Sequence, residues 1–190
     1  ARFNMVEQQI RTWEVLDQTV LDLLYEVRRE DFVPEAYRSL AFSDLEIPLG
    51  KEASQRMWAP RVESRVLQTL AIKKSDRILE IGTGSGYLAA LLARRGHAVF
   101  SVDIDPALVQ SAKRQLDRAQ INNVRVESGD LSVLTQGAMT YDVIVVTAST
   151  PSVPEAWLER LSSNGRLFVI VGDEPVMAAR LITRTGSKSF

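Results

Sequence analysis

The sequence predicts an α/β fold, a doubly wound, mostly parallel sheet with a helical N-terminal extension. From Arg77 onward, short apolar runs alternate with amphipathic segments, as in repeated strand–helix–strand units. The first run closes on Glu80 and is followed by glycines at the alternate positions 82, 84 and 86. Glycine permits a tight strand-to-helix turn and a close approach of the backbone to a ligand. We therefore expect a binding site at this turn.

The elements can be placed in order along the chain. Residues 4–30 carry apolar side chains at helical spacing and predict one long helix, and residues 60–70 predict a second. Proline and glycine between them indicate an irregular connection. Strands are expected at about 77–81, 98–102, 124–128, 141–147 and 165–171, and helices at about 86–95, 106–119 and 154–162.

The two ends of the chain lead to a separate expectation. Residues 179–185 alternate in polarity and predict a sixth strand. Residues 187–190 are too few to supply an antiparallel partner for it, and the chain begins with Ala1 rather than methionine. We therefore expect a trimmed chain whose natural C-terminus lies beyond Phe190.

Composition limits the possible functions. The 190 residues fit a single domain over 1–190, with a helical region at 1–75 and the sheet region at 76–190. A net charge of −1 argues against nucleic acid, and no apolar run reaches the ~20 residues of a membrane helix. The absence of cysteine excludes disulfides and thiolate metal sites and fits a cytoplasmic protein. We expect a monomer without a metal, in which the one histidine, His97, is structural.

The glycine turn suits a nucleoside cofactor, and nearby acids favour S-adenosylmethionine. Dinucleotide enzymes use Gly-x-Gly-x-x-Gly, whereas here the third glycine comes one residue early. Glu80 precedes the first glycine by two positions, where a carboxylate suits an ammonium group. Asp103 closes the second strand and is placed to accept hydrogen bonds from two ribose hydroxyls, and Asp130 follows the third strand, where it could meet the adenine amino group. The alternatives are a dinucleotide or a turn that binds no ligand.

The predicted cofactor contacts lie at the carboxyl edge of the sheet, where parallel strands end together. They are Glu80, Gly82, Thr83, Gly84, Gly86, Asp103, Ile104, Asp130, Leu131 and Thr147.

Motifs along the whole chain carry a more specific resemblance. They are Met-Val-Glu-Gln-Gln-Ile at 5–10, Arg-Glu-Asp-Phe-Val-Pro-Glu at 29–35, Ile-Pro-Leu-Gly at 47–50, Val-Thr-Ala at 146–148 and Asn-Gly-Arg-Leu at 164–167. Together with the glycine turn they resemble the protein-L-isoaspartate O-methyltransferases, class I methyltransferases with a Rossmann-like fold. The resemblance implies methyl transfer from S-adenosylmethionine, leaving S-adenosylhomocysteine, to the carboxylate of L-isoaspartyl residues in damaged proteins or peptides.

The substrate loop departs from that family. Its pattern Gly-Gln-Thr-Ile-Ser-Gln-Pro corresponds here to Gly-Lys-Glu-Ala-Ser-Gln-Arg at 50–56, followed by Met57 in place of the usual Tyr or His. Ser54 is retained, and the resemblance implies that it is a catalytic-site residue that orients the acceptor carboxylate. Gln55 is also retained, either as a substrate contact or as a structural residue. The altered loop leaves two alternatives open: a methyltransferase with another small-molecule or protein acceptor, or a cofactor-binding protein without catalysis.

Overall fold

A six-stranded sheet organises the structure. The computed structural model describes residues 1–136, 138–173, 175–186 and 189–190. The strands are β1 (Ile47–Pro48), β2 (Arg56–Met57), β3 (Arg77–Ile81), β4 (Ala98–Asp103), β5 (Val124–Ser128), β6 (Tyr141–Thr150), β7 (Leu161–Asp173) and β8 (Val176–Thr183). The main sheet has the order β5-β4-β3-β6-β7-β8, and β1 and β2 form a separate antiparallel pair. Neighbouring strands of the main sheet are parallel except β7 and β8.

Helices cover both faces of this sheet. They are α1 (Arg2–Asn4), α2 (Gln18–Glu26), α3 (Pro60–Leu70), α4 (Tyr87–Arg95), α5 (Pro106–Arg118), α6 (Val133–Gln136) and α7 (Glu155–Leu158). On one face, the N-terminal extension and α2 to α5 share an apolar cluster with strand residues such as Ile78 and Val143. On the other face, Leu134 and Trp157 join a second cluster. The predicted fold class is confirmed, and none of the helices in the described part of the chain is long and apolar enough to span a membrane.

The strand order reverses beside β3. Strands β4 and β5 lie on one side of β3, whereas β6, β7 and β8 lie on the other. In open α/β sheets, such a reversal leaves a crevice at the carboxyl ends of the strands, where ligands bind. The glycine turn follows β3 at this point, so the fold puts the predicted site in that crevice.

The N-terminal extension does not form the single helix predicted for residues 4–30. After α1, a π-helical segment (Met5–Ile10) and a 3-10 turn (Arg11–Trp13) follow, and the chain then leaves helical geometry before α2. Glu14 ends the first part in the left-handed conformation, with φ 59° and ψ 26°. Asp17 then begins α2 by accepting a hydrogen bond from the Thr19 N–H. The prediction was wrong because apolar spacing does not reveal a capping residue that starts a second helix.

The helix predicted for residues 154–162 is also too long. Only α7 is helical there, and β7 begins at Leu161 instead of near residue 165. Leu161 pairs with Tyr141 at the start of β6, and the register shifts before Val143. Pairing between distant segments thus lengthens the strand at the expense of the helix.

The predicted sixth strand is confirmed as β8, with a different partner from the one considered. It pairs antiparallel with β7, from Val176 opposite Asp173 to Thr183 opposite Arg166. A hairpin therefore closes the sheet without using the tail. Ser187 and Lys188, at the start of the short tail, lie outside the described residues.

A buried ion pair ties the segment at Arg29 to α3, and the same arginine also contacts the sheet region. Arg29 and Glu63 have side chains 1% and 3% exposed, and Arg29 Nη1 donates directly to the Glu63 carboxylate. Arg29 Nη2 donates to the Trp58 carbonyl oxygen at 2.7 Å. The same guanidinium lies 5.1 Å from the ring centroid of Tyr87, the first residue of α4. Because taking charges out of water is costly, each member of the pair depends on the other.

We expect Glu63→Ala to lower the free energy of unfolding by about 3–5 kcal/mol, because it leaves the buried Arg29 charge without its partner. Glu26→Ala is the matched control, since Glu26 lies 3.2 Å from Arg94 in a solvent-exposed pair, and such pairs contribute about 0–1 kcal/mol. Urea unfolding at equilibrium measures the free energy of unfolding of both variants. The double variant Arg29→Met with Glu63→Leu should recover most of the lost stability. Equal losses in Glu63→Ala and in the control Glu26→Ala would show that the buried ion pair does not stabilise the fold.

Candidate functional site

The turn after β3 has a backbone geometry that favours glycine. Gly82, Gly84 and Gly86 have φ values of 95°, 53° and 83°. The Gly82 N–H donates to the Val102 carbonyl oxygen at 2.8 Å, which ties the start of the turn to β4. A Cβ at Gly86 would lie 3.1 Å from the Cβ of Ala112, so glycine there lets α4 approach α5 closely. All three positions therefore depend on glycine.

The Asp103 carboxylate is the main acceptor at the turn. Asp103 ends β4 and is 7% exposed. Its Oδ2 accepts a hydrogen bond from the Gly84 N–H at 2.8 Å, and its Oδ1 accepts one from the Asp105 N–H at 3.0 Å. The Gly129 N–H donates to the backbone carbonyl of Asp103 at 3.0 Å, which brings the residue after β5 next to the end of β4. Since a carboxylate oxygen has two lone pairs, each oxygen can accept one further bond from a ligand.

A chain of buried side chains runs from the turn into the sheet. Thr83 Oγ1 and Ser101 Oγ are 2.6 Å apart, and Ser101 Oγ donates to Glu80 Oε2 at 2.5 Å. With the one hydroxyl hydrogen of Ser101 directed at Glu80, Thr83 is the donor in the first bond. The three side chains are buried, so these bonds offset the cost of removing polar groups from water.

One oxygen of the Glu80 side chain, Oε1, makes no hydrogen bond to the described residues. Burial raises the pKa of Glu80 to about 8, the hydrogen bond from Ser101 opposes this, and the nearby Asp103 carboxylate adds to the rise. The structure places this side chain inside the sheet rather than on the surface of the turn. Its predicted contact with a ligand ammonium group stays a prediction, favoured by the unpartnered oxygen.

Thr147 supports the turn from β6. Its Oγ1 lies 2.9 Å from the Ile81 carbonyl oxygen and 3.1 Å from that of Gly82, so its hydroxyl donates to the start of the turn. A Cβ at Gly82 would overlap with this hydroxyl. The structure therefore places Thr147, predicted as a cofactor contact, against the backbone of the turn.

The other predicted contacts lie beyond the ends of β4 and β5. Ile104 follows Asp103 and is 77% exposed, which leaves an apolar surface beside the carboxylate. Asp130 is exposed, its Oδ1 accepts a hydrogen bond from the Ser132 N–H at 2.8 Å, and bonding to Ser132 lowers the pKa of Asp130. Leu131 packs against the second apolar cluster. The fold thus gathers these residues near one edge of the sheet.

The loop that carries Ser54 connects β1 with β2. Ser54 is exposed, and the neighbouring Gln55 donates from Nε2 to Asp105 Oδ2 at 2.7 Å. Leu49 Cδ1 lies 3.1 Å from the position that a Cβ on Gly84 would take. These two contacts place the loop against both the glycine turn and the start of α5.

Two residues of this site were missed by the sequence analysis. Ser101 is a small polar residue inside the apolar run of β4, and that interruption was a usable signal. Asp105 directly precedes the predicted helix at 106–119 and was not singled out as a site residue. Its contact with Gln55 joins positions 50 residues apart and leaves no trace in local spacing.

Comparison with known proteins identifies the family. A family model described as "Protein-L-isoaspartate(D-aspartate) O-methyltransferase" matches residues 2–189. The chain belongs to this family. A member from Syntrophotalea carbinolica is 36% identical over 190 residues, covering 100% of this chain and 87% of the relative. A member from Methanospirillum hungatei is 39% identical over 183 residues, covering 96% of this chain and 84% of the relative. Both relatives are named protein-L-isoaspartate O-methyltransferase.

Solved structures agree with this family assignment. A Plasmodium falciparum protein, described as a putative protein-L-isoaspartate O-methyltransferase in complex with S-adenosyl-L-homocysteine, superposes with a TM-score of 0.82 at 19% identity. The match covers 97% of this chain and 90% of the other and shows a shared fold. Another structure named protein-L-isoaspartate O-methyltransferase gives a TM-score of 0.77 at 25% identity, and the match covers 100% of this chain and 67% of the other. The predicted Rossmann-like family fold is therefore confirmed.

The buried acid gives the ligand-free protein a specific pH dependence. The pKa of Glu80 is raised from 4.5 to about 8, so above pH 4.5 the unfolded chain releases a proton that the folded protein retains. We expect the free energy of unfolding to fall as pH rises from about 5 to 8, by up to about 1.4 kcal/mol per pH unit for one proton. Glu80→Gln should remove this contribution and make the curve less steep, as measured by urea unfolding across that range. The slope that comes from Glu63, whose pKa burial raises to about 7, remains in the variant. The exposed Glu35→Gln is the control, and parallel curves for wild type and Glu80→Gln would contradict the raised pKa.

Proposed function

We propose that this chain is an S-adenosylmethionine-dependent O-methyltransferase that modifies the carboxylate of L-isoaspartyl residues in damaged proteins or peptides. Family membership over residues 2–189 supports this activity. The structural observation that carries it is the meeting of two segments at the carboxyl edge. The glycine turn is bonded to Asp103, and the loop bearing Ser54 is attached two residues further on, at Asp105.

The residues at the turn fit the cofactor. Asp103 has two remaining acceptor positions, which is the number that a ribose with two hydroxyls requires. Exposed Ile104 offers an apolar surface to adenine, and exposed Asp130 offers a carboxylate to its amino group. The unpartnered Oε1 of Glu80 suits the cationic methionine end. Gly84 lacks a side chain where the backbone has to approach the ligand.

S-adenosylmethionine, when bound, supplies a methyl group activated by a sulfonium centre. An acceptor carboxylate has an ordinary pKa of roughly 4 and is already ionised at neutral pH, so the chain needs no general base. Its residues instead have to orient the acceptor and exclude water. We assign the orienting role to Ser54, whose hydroxyl can donate to one carboxylate oxygen and leave the other directed at the methyl group.

The composition of the loop favours a second candidate, a methyltransferase with another acceptor. Lys51, Glu52 and Arg56 place exposed charges around Ser54. Met57 is 3% exposed and belongs to the apolar core, so it presents no polar group to an acceptor. A changed set of charges at the acceptor side would change which carboxylate or other nucleophile is bound.

The deciding experiment compares two peptides of identical sequence, one with an isoaspartyl and one with an ordinary aspartyl residue. With labelled S-adenosylmethionine, we expect methyl transfer to the isoaspartyl peptide only. Cofactor binding without transfer to either peptide would contradict the isoaspartyl assignment and favour the second candidate or a non-catalytic binding protein.

In the same assay, Ser54→Ala should reduce kcat by about tenfold or more while the Kd for S-adenosylhomocysteine stays near the wild-type value, because the lost contact acts on the transition state. Ser163→Ala, an exposed serine in β7, is the control.

Asp103→Ala should weaken the binding of S-adenosylhomocysteine at least about tenfold. Two hydrogen bonds from ribose to a charged acceptor are lost, and each is worth roughly 1.5–3 kcal/mol. Isothermal titration calorimetry measures the effect, with the exposed Asp117→Ala on α5 as the control for loss of one negative charge. Unchanged affinity in a folded Asp103→Ala protein would remove Asp103 from the cofactor site.

Several expectations about this activity remain predictions. We propose that the protein is a cytoplasmic monomer that binds no nucleic acid, and that its helical region ends at residue 75. Within the described ranges, no group of three or more His, Cys, Asp or Glu side chains could hold a metal ion. The individual roles of Thr83, Gly86, Leu131 and Thr147 toward the cofactor are likewise part of the proposal.

A further inference from the structure

Gln55 is a partly buried glutamine whose side-chain nitrogen and oxygen each make a hydrogen bond. Its Nε2 donates to Asp105 Oδ2 at 2.7 Å, and its Oε1 accepts a hydrogen bond from the Glu52 N–H at 3.2 Å. The backbone carbonyl of Gln55 accepts from the Leu49 N–H at 2.8 Å, and its N–H donates to the Glu52 carbonyl at 3.1 Å. These four hydrogen bonds define the shape of the loop and attach it to α5.

The neighbouring Gly50 leaves the space that this side chain occupies. A Cβ on Gly50 would lie 2.7 Å from Gln55 Cδ and would overlap its Oε1. Gly50 is not among the residues with positive φ, so the backbone conformation does not require glycine here. Any larger residue at position 50 would displace Gln55 from its partners.

Asp105 connects the loop to the cofactor-binding residues. Its Oδ1 accepts from the Ala107 N–H at 2.7 Å and caps α5, while its Oδ2 accepts from Gln55. The Asp105 N–H donates to Asp103 Oδ1, and Asp103 Oδ2 accepts from the Gly84 N–H. A continuous series of contacts therefore runs from the acceptor loop, past the ribose-binding carboxylate, to the glycine turn.

We propose that Gln55 is a positioning residue that holds Ser54 beside the cofactor by anchoring the acceptor loop to Asp105. Gln55 acts through Asp105 and the loop backbone, and it does not bind the acceptor, which was the other interpretation left open by the sequence. The consequence for turnover rests on the proposed methyltransferase activity. The anchoring itself is a property of the ligand-free chain and can be measured separately.

A reversal of hydrogen-bond polarity tests the anchor. Gln55→Glu keeps an acceptor for the Glu52 N–H but sets a second carboxylate against Asp105 Oδ2. Adding Asp105→Asn replaces that oxygen by an N–H donor, which can bond to the new glutamate, and asparagine caps a helix as well as aspartate does. The exposed Gln110→Glu on α5 introduces the same charge and is the matched control.

Two readouts are followed in parallel. Limited trypsin cleavage after Lys51 reports the anchoring, because the next residue, Glu52, donates its N–H to Gln55. Methyl transfer to the isoaspartyl peptide reports the positioning of Ser54. We expect Gln55→Glu to speed cleavage by about fivefold or more and to lower kcat by about tenfold or more with little change in the KM for S-adenosylmethionine. We expect the double variant to recover both, and Gln110→Glu to match the wild type.

Each outcome bears on one part of the inference. If trypsin cleaves Gln55→Glu at the wild-type rate, or if adding Asp105→Asn does not restore the slow cleavage, Gln55 is not the anchor. If cleavage follows the expected pattern while kcat is unchanged, the loop is anchored but its position does not serve catalysis, and the positioning role is refuted. If the wild type methylates no isoaspartyl peptide, the proposed function fails, and the cleavage rates alone decide on the anchor.

Discussion

The hydrogen bonds to Asp103 join three segments that are distant in sequence. Its carboxylate accepts from the glycine turn at Gly84 and from Asp105 at the start of α5, and its carbonyl accepts from Gly129 after β5. The two bonds to the carboxylate are charge-assisted and therefore stronger than neutral ones. All three bonds satisfy backbone N–H groups that would otherwise be unpaired. The positions of the proposed cofactor edge and of the acceptor loop both follow from them.

Buried polar groups behind the turn add a second constraint. Thr83, Ser101 and Glu80 form one chain of side chains, and Thr147 bonds to the turn from β6. Buried polar groups are normally satisfied, so Glu80 Oε1, which has no hydrogen-bond partner among the described residues, is an exception on a fully buried acid. The raised pKa of Glu80 has the same cause, since both reflect a carboxyl group held away from water.

Much of the sheet could be predicted because its signals are local. The strand at 77–81 and the helix that starts at Pro106 lie where the spacing of apolar residues predicted them. The long N-terminal helix failed because Glu14 adopts a left-handed conformation and Asp17 starts a new helix, which apolar spacing does not reveal. The early start of β7 failed for another reason, since it depends on pairing with Tyr141 from a different segment.

By itself, the sequence determined the fold class, the glycine turn, the acid at the end of β4 and the family to which the chain belongs. These features are encoded by residue type and spacing over short stretches. Only the tertiary structure decided the partner of each polar group, including the burial of Glu80 beside Ser101 and the attachment of Gln55 to Asp105. A hydrogen bond between segments depends on distance and direction after folding, and neither quantity is present in the spacing of residues along the chain.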